Sequence, residues 1–479
     1  MASRSALGYL FGVLVLMGGC KSAHQIRDPE YAQVSRRVQQ AHYSPEPIAA
    51  AISPVNYEFT GPQPVEVLLQ YALSQNAGVQ AARKRIEAAA MRVPQAASLK
   101  DPMLDVTGWP FYPNVPQTAS GRMTVDMMVS QEVPWFGKLG TRASAAEEEV
   151  NAARAQLAAA ELKTVEDVKR AYYELYFVQK AIRVTQQDRD VLADLVEVAN
   201  ALYKTAKTSQ QDVLRLQAEL SNVDGELIRM QQMRAAAQAD LAQVLHISPE
   251  TPLAAVDQLS PEDVPRDLDW LYRQAIASRP ELHAMLAEIE RDQRMVDLAR
   301  LEYYPDATFK FGWGEMTTNR AIAPSADGID NLTVGLSVNV PIYRGRLNAA
   351  VREAEATVVA SARQYDQMKD ETQRDVKRLF TQAASQRDVE VLFRESIIPN
   401  TQQALEVALR GYQVGEIEFA DLIANWRELF KFHIAQLQLE AQLRQTLASL
   451  ERVVGGLPST PPEAIPAPRE EPQPLPPPQ

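Results

Sequence analysis

Four short segments of this chain alternate apolar and polar residues with a period of two. From Arg122 to Val133 the residues Met123, Val125, Met127, Val129 and Val133 are apolar, with Gln131 the exception. Arg122, Thr124, Asp126, Ser130 and Glu132 interleave them, and Met128 is the apolar intruder in that polar set. Leu332, Val334, Leu336, Val338 and Val340 alternate with Thr333, Gly335, Ser337 and Asn339; Ala307, Phe309, Phe311 and Trp313 alternate with Asp306, Thr308, Lys310 and Gly312. The weakest case is 103–108, where Leu104 and Val106 flank Asp105. Period two predicts strands with one greasy and one polar face. Elsewhere the period is helical. Residues 137–203 and 345–411 are Ala-, Glu-, Gln- and Arg-rich and nearly free of Gly, with Pro399 the one interruption. At 1.5 Å per residue each predicts a helix of roughly 100 Å. Val213, Leu216, Leu220, Val223, Leu227 and Met230 step by three and four, as do Val165, Val168, Tyr172 and Leu175. These seams predict antiparallel coiled-coil hairpins.

The pattern occurs twice, about 205 residues apart. Val79 to Ile86 matches Leu282 to Ile289, Pro102 matches Pro305, and Val133-Pro134 matches Val340-Pro341. Asp167-Val168-Lys169-Arg170 recurs as Asp375-Val376-Lys377-Arg378, and Tyr203 and Asp212 recur as Tyr412 and Asp421. The expected organisation is a signal peptide at 1–19, a tether at 20–62, a first repeat at 63–246, a linker at 247–267, a second repeat at 268–456 and a tail at 457–479. In the repeats a β-hairpin (about 102–134, then about 305–341) precedes a helical hairpin (137–246, then 345–456). Prolines mark the linker, and from Pro458 onward they are so dense that an extended, disordered tail is expected.

Strands of this kind suit an outer-membrane barrel, with lipid outside and water within. A proline stands at one end of each strand, and Trp135, Phe136, Tyr303, Tyr304 and Tyr343 cluster beside those prolines, as an interfacial girdle would. Four strands cannot close, and an open sheet edge cannot sit in lipid. Copies must therefore pool strands: two would make a narrow barrel of eight, three a barrel of twelve with a lumen.

The N-terminus supports a membrane destination. Arg4 precedes a short apolar run ending in Leu16-Met17-Gly18-Gly19-Cys20, which resembles a bacterial lipobox and predicts acylation of Cys20 with palmitate. Lys21 after the cysteine favours outer-membrane sorting. No later stretch is apolar enough for a membrane-spanning helix. A net charge of −12 argues against nucleic acid as a partner. Enzyme chemistry finds no footing: His24, His42, His246, His283 and His433 are scattered without ligand spacing, and neither Phe136-Gly137-Lys138-Leu139 nor Gly312-Trp313-Gly314 makes a nucleotide loop. No cofactor, resident metal or catalytic residue is expected. Met123, Met127 and Met128 suggest a soft-metal site, but Met123 and Met127 fall on the apolar set, where lipid contact is the simpler reading.

Over residues 63–456 the chain resembles the TolC-like outer-membrane factors of tripartite efflux and secretion systems. The resemblance rests on the duplication, on Tyr412-Gln413-Val414-Gly415 followed by Asp421-Leu422-Ile423, and on Gln131 to Leu139, similar to the strand-to-helix junction of members serving heavy-metal pumps. It implies a mainly α protein with membrane β: a homotrimer whose four strands per protomer build a twelve-stranded barrel, above a periplasmic tunnel of helical hairpins. It further implies a periplasmic adaptor protein and an inner-membrane pump as partners, and a duct for small toxic solutes, either drugs or metal cations. A protein-secretion duct and a non-conducting lipoprotein scaffold are the alternatives. The expected adaptor-docking tips are Tyr203, Lys204 and Ala206, then Tyr412, Val414 and Gly415; the expected periplasmic gate is Asp421, Glu418 and Asp212. The first tip carries Ala206 where the second has Gly415, and Ala424 replaces the family's second gate carboxylate.

Overall fold

In this computed structural model the described residues are 31, 33–34, 59, 61–109, 122–205, 208–260, 263–318, 328–414 and 416–456. Cys20, Ala206, Gly415 and the proline-rich tail lie outside them. The element order repeats. Helices α1 (Val65–Gln75) and α2 (Ala77–Ala97) lead to strands β1 (Met103–Gly108) and β2 (Arg122–Val133), then to α3 (Lys138–Lys204) and α4 (Gln210–Leu245). The second copy runs α5 (Leu268–Ser278), α6 (Pro280–Leu301), β3 (Ala307–Thr317), β4 (Asn331–Val338), α7 (Arg344–Leu392), α8 (Ile398–Val414) and α9 (Phe419–Val454).

The first long helix is unbroken over 67 residues. Its repeat mate is not: a single turn of π-helix, Phe393–Ile397, separates α7 from α8. Pro399 accounts for the break, because it lacks an N–H and its ring crowds the carbonyl four residues back. The expected heptad seam is buried at Val213, Leu216 and Val223 against Leu192, Leu195 and Ala199 of α3, and further along at Met230, whose sulfur lies 3.4 Å from the Thr185 hydroxyl. Helix α3 is the spine, packing on α2, α4, α6 and α9. The linker after α4 is also packed. Ile247, Leu253 and Ala255 are buried, and the Tyr172 hydroxyl donates to the Gln63 carbonyl while accepting from the Val256 amide. That contact holds the chain leading into α1 against the linker between copies.

The strands form one antiparallel sheet in the order β1-β2-β3-β4, leaving β1 and β4 as unpaired edges. Register puts Val106, Met127, Trp313 and Leu332 on one face, with Leu104, Val129, Phe311 and Val334 beside them. Leu104, Val106, Val129, Phe309, Phe311, Leu332, Val334, Leu336 and Val338 are 43 to 79% exposed. A face this greasy and this bare is stable against lipid, not water. Asp105, Asp126, Ser130, Lys310 and Thr333 take the other face.

One sequence expectation is corrected here. Met123 belongs to the apolar set by alternation, but a bulge between Met123 and Val125 adds one residue to β2. Beyond it Met123 pairs with Met316, on the same face as Gly314 and Asp126. A bulge re-aims a side chain because strand faces alternate at every residue.

Candidate functional site

Two places bear on the expected function: the joint between sheet and helices, and the far tips of the helical hairpins.

At the joint, β2 ends in Val133-Pro134, and Gly137, at φ 91°, makes the left-handed turn that starts α3. Only glycine adopts that conformation without a Cβ penalty. The turn drives Lys138 inward until it is 0% exposed. Its ammonium donates to both carboxylate oxygens of Asp306, at 2.9 and 3.0 Å, and lies 3.5 Å from Glu302. Asp306 also accepts from the Trp135 amide at 2.7 Å, and its own amide donates to Asn339 Oδ1 at 2.6 Å. Three of the passages between sheet and helices, β2–α3, α6–β3 and β4–α7, thus meet at one residue, Asp306. Around it Trp135 stacks on Tyr304, with ring centres 5.4 Å apart. Phe136, Tyr343 and Ile342 stand exposed at the same level, a belt suited to the boundary between lipid and water.

At the tips, both hairpins share a core of Leu195, Val213, Leu216, Ala408, Phe419, Leu422, Ile423 and Trp426. Tyr203, Lys204 and Val414 are exposed, as docking residues must be. Tyr412 is not. It is 8% exposed, packs against Phe419, and its hydroxyl lies 3.2 Å from Thr208 Oγ1 of the other hairpin. The expectation of an outward-facing tyrosine is therefore revised: its ring is apolar enough to be drawn into the tip core, with the hydroxyl left at the seam. Arg427 of α9 makes a second cross-hairpin tie, donating from Nε at 2.9 Å and from a terminal nitrogen at 2.5 Å to the two oxygens of Glu219. The guanidinium's hydrogen bonds hold the Glu219 carboxyl below the usual range.

The expected gate carboxylates have different surroundings. Asp212 sits in a capping box: its amide bonds Ser209 Oγ, and its carboxylate accepts from the Ser209 amide, Ser209 Oγ and Thr208 Oγ1. Partial burial pushes this carboxyl up, but the hydrogen bonds from Ser209 and Thr208 outweigh it and leave it below the ordinary range. Asp421 is exposed in the first turn of α9, with no such side-chain cap. Glu418 is the residue before that helix, in extended backbone, so it does not share a helical face with Asp421 as the three-residue spacing suggested.

Sequence reasoning missed Lys138, Asp306, Glu219, Arg427, Thr208 and Gly411. Gly411 had a local signal, a glycine in the last turn before a tip. A Cβ there would lie 2.7 Å from two side-chain carbons of Ile417, whose amide bonds the Gly411 carbonyl. The others are lone charges or hydroxyls whose partners lie up to 208 residues away. Among the described residues there is no group of His, Cys, Asp or Glu suited to hold a metal ion, and no helix long and apolar enough to cross a membrane.

This architecture has relatives. The family model for outer membrane efflux proteins matches residues 68–245 and 271–456, one segment in each repeat. The chain is 24% identical over 405 residues to the cobalt-zinc-cadmium resistance protein CzcC of Cupriavidus metallidurans, covering 83% of this chain and 91% of that one. Among solved structures it superposes on CusC with a TM-score of 0.70 at 17% identity, covering 84% and 96% of the two chains. On the outer membrane protein VceC of Vibrio cholerae the TM-score is 0.69 at 20% identity, covering 82% and 96%.

Proposed function

The chain belongs to the outer membrane efflux protein family, and from that premise we propose that three copies form a conduit whose cargo is a toxic metal cation. It is an outer-membrane efflux channel component, a passive duct and not an enzyme, with its helices in the periplasm. Channels of this kind work in tripartite systems with an adaptor and an inner-membrane pump.

One observation carries the conduit: a sheet with a bare apolar face and two open edges, joined at one end to a wholly helical body. Such edges must be satisfied by neighbouring copies before the sheet can enter lipid. Three copies give twelve strands and a water-filled lumen, where two give a barrel filled by its own side chains. Similarity to CzcC along most of both chains supports metal cations over organic drugs. Acylation of Cys20 would add a second anchor; Cys20→Ala should abolish labelling by radioactive palmitate, and unchanged labelling would refute it.

The test of function has two arms. Purified protein in a planar bilayer should show single-channel conductance, and a silent bilayer would sink the duct. Deleting the gene should sensitise cells to cobalt, zinc or cadmium salts more than to organic drugs; the reverse ranking would remove the metal reading and keep the channel.

A further inference from the structure

The sequence Asp-Val-Lys-Arg occurs twice, as Asp167 to Arg170 in α3 and as Asp375 to Arg378 in α7. Its valines pack, and Val168 and Val376 are fully buried. Its arginines do not. Arg170 and Arg378 line one cavity of about 600 Å³, from opposite sides of α9, which packs on both of their helices. Leu450 and Val454 of α9 pack towards Leu271 and Ala275 of α5. Gln445, Thr446 and Ser449, on a different stripe of the same helix, line the cavity instead.

Arg279 and Arg452 line the same cavity, and shared carboxylates tie the arginines together. Arg170 and Arg452 share Glu166, at 4.0 and 3.0 Å; Arg452 and Arg279 share Glu281, at 3.6 and 3.3 Å. Arg279 also donates to the Thr372 hydroxyl of α7 at 2.8 Å. The succession crosses from α3 over α9 to α7. Its carboxylates are already satisfied: Glu166 accepts from Ser449 and Arg452, and Asp375 accepts twice from Arg374. Arg170 and Arg378 are left exposed, 4.0 and 3.8 Å from a carboxylate on their own helices, beyond hydrogen-bond reach. Nε of Arg452 and Oε1 of Gln386, both lining residues, are buried with no hydrogen-bond partner among the described residues.

We propose that this cavity binds a small polycarboxylate anion of the size and charge of citrate. The helices of a single chain build it, so the site depends neither on the trimer nor on the cargo proposed above. Four arginines line it against two carboxylates, Glu166 and Asp375, and Glu281 behind them still leaves one positive charge in excess. A guanidinium presents its donors as a fork that matches a carboxylate, and the forks of Arg170 and Arg378 are unused. Packed helices lie about 8–10 Å apart, so the axes of α3 and α7, on either side of α9, stand about 16–20 Å apart. One carboxylate cannot serve arginines on both walls; a molecule carrying several can. The volume is in the range that holds a polyatomic ligand, not a lone ion. Thr446, Ser449 and the amides of Gln386 and Gln445 offer hydrogen bonds to its remaining oxygens, since an amide can turn its NH2 towards a ligand.

The rival explanation is that these arginines only solvate a polar wall. Arg170 and Arg378 leave satisfied carboxylates behind, so the double variant Arg170→Gln, Arg378→Gln should keep the native melting temperature. The full-length assembled protein would be titrated by calorimetry with citrate in metal-free, phosphate-free buffer. Saturable binding of one citrate per chain in the native protein, with at least a tenfold weaker affinity in the double variant, would support the site. Gln386→Glu places a like charge in the cavity while keeping every arginine, and should weaken citrate to a similar degree; it decides the matter if the double variant fails to fold. Native protein that binds no citrate, folded variants that bind it as tightly as native, or inorganic phosphate that binds as tightly as citrate would overturn the proposal.

Discussion

The ammonium of Lys138 and the carboxylate of Asp306 meet at 2.9 and 3.0 Å across 168 residues of sequence, and they bolt the first repeat to the second where sheet becomes helix. Removing one member leaves the other charge without its main counter-ion, with Glu302 at 3.5 Å a weaker substitute for Lys138, a loss of up to about 3–5 kcal/mol. Lys138→Met should lower the melting temperature of the assembled protein steeply. Asp306→Leu should be worse, since Asp306 also receives the Trp135 amide. The double variant should recover part of the loss. Losses that simply add in the double variant would mean the pair is not coupled.

Arg427 and Glu219 hold the two hairpins together near the tips. Arg427→Glu should loosen them and raise the conductance of the reconstituted channel; Arg427→Glu with Glu219→Arg should restore the native level. The pair is partly exposed, so its contribution is about 1 kcal/mol or less. Because Glu219 titrates below its unfolded value, the tie persists above the ordinary glutamate range and is lost as pH falls through its lowered pKa. An unchanged conductance in the charge-reversed single variant would remove the tie from the gating account.

Gly411 lets Ile417 close over the end of α8. Gly411→Ala should cost about 1–3 kcal/mol by overpacking and expose the tip to limited proteolysis. Adding Ile417→Ala should relieve the clash and restore resistance. Proteolysis of Gly411→Ala at the native rate would show that the tip has slack.

Asp188 lies in α3 with one carboxylate oxygen buried and lacking a hydrogen-bond partner. Burial raises its pKa to about 6. A raised carboxyl favours the folded state below the unfolded pKa, near 4, and that advantage disappears as pH climbs through 6. At pH 7.5 the charge costs up to about 3 kcal/mol. Asp188→Asn should therefore flatten the fall in melting temperature between pH 4 and pH 7.5. A variant with the native pH profile would show that Asp188 finds a partner in the assembly.

Asp421 and Asp212 are repeat mates in different circumstances, and one substitution at each tells them apart. Asp212→Asn leaves the Ser209 cap in place but removes the negative charge from the first turn of α4 and should cost about 0.3–1 kcal/mol of stability with little change in ion selectivity. Asp421→Asn should leave stability alone and shift the reversal potential away from cations. Equal reversal potentials for Asp421→Asn and native protein across a salt gradient would exclude Asp421 from the constriction.

Much of the fold was legible in the sequence because its forces are local and periodic. Alternation at Leu332, Val334 and Leu336 needs only the pleat, and the seam from Val213 to Met230 needs only the helical turn. The bulge at Met123 was invisible, since an extra residue shows itself only against the partner strand. The π-turn before Pro399 was foreshadowed by the proline but not its form. Lys138 stands in the sequence only as part of Phe136-Gly137-Lys138-Leu139, which makes no nucleotide loop; nothing near it in sequence announces Asp306. At the tips, Tyr412 looked like a docking residue because its exposure depends on Thr208 and Phe419, which the chain brings to it from elsewhere. The site was legible as a location more than as a set of contacts.

The two open edges of the sheet have a genetic consequence. If β4 of one copy must pair with β1 of the next, a ring is only as sound as its worst joint. A copy with a spoiled edge, a proline at Val106 for example, is still carried into assemblies by its other edge and its helices. Expressed in equal amounts beside the native gene, it would leave only about one ring in eight free of damaged members. Lesions at these edges should therefore behave as dominant, whereas lesions that unfold the whole chain should be recessive.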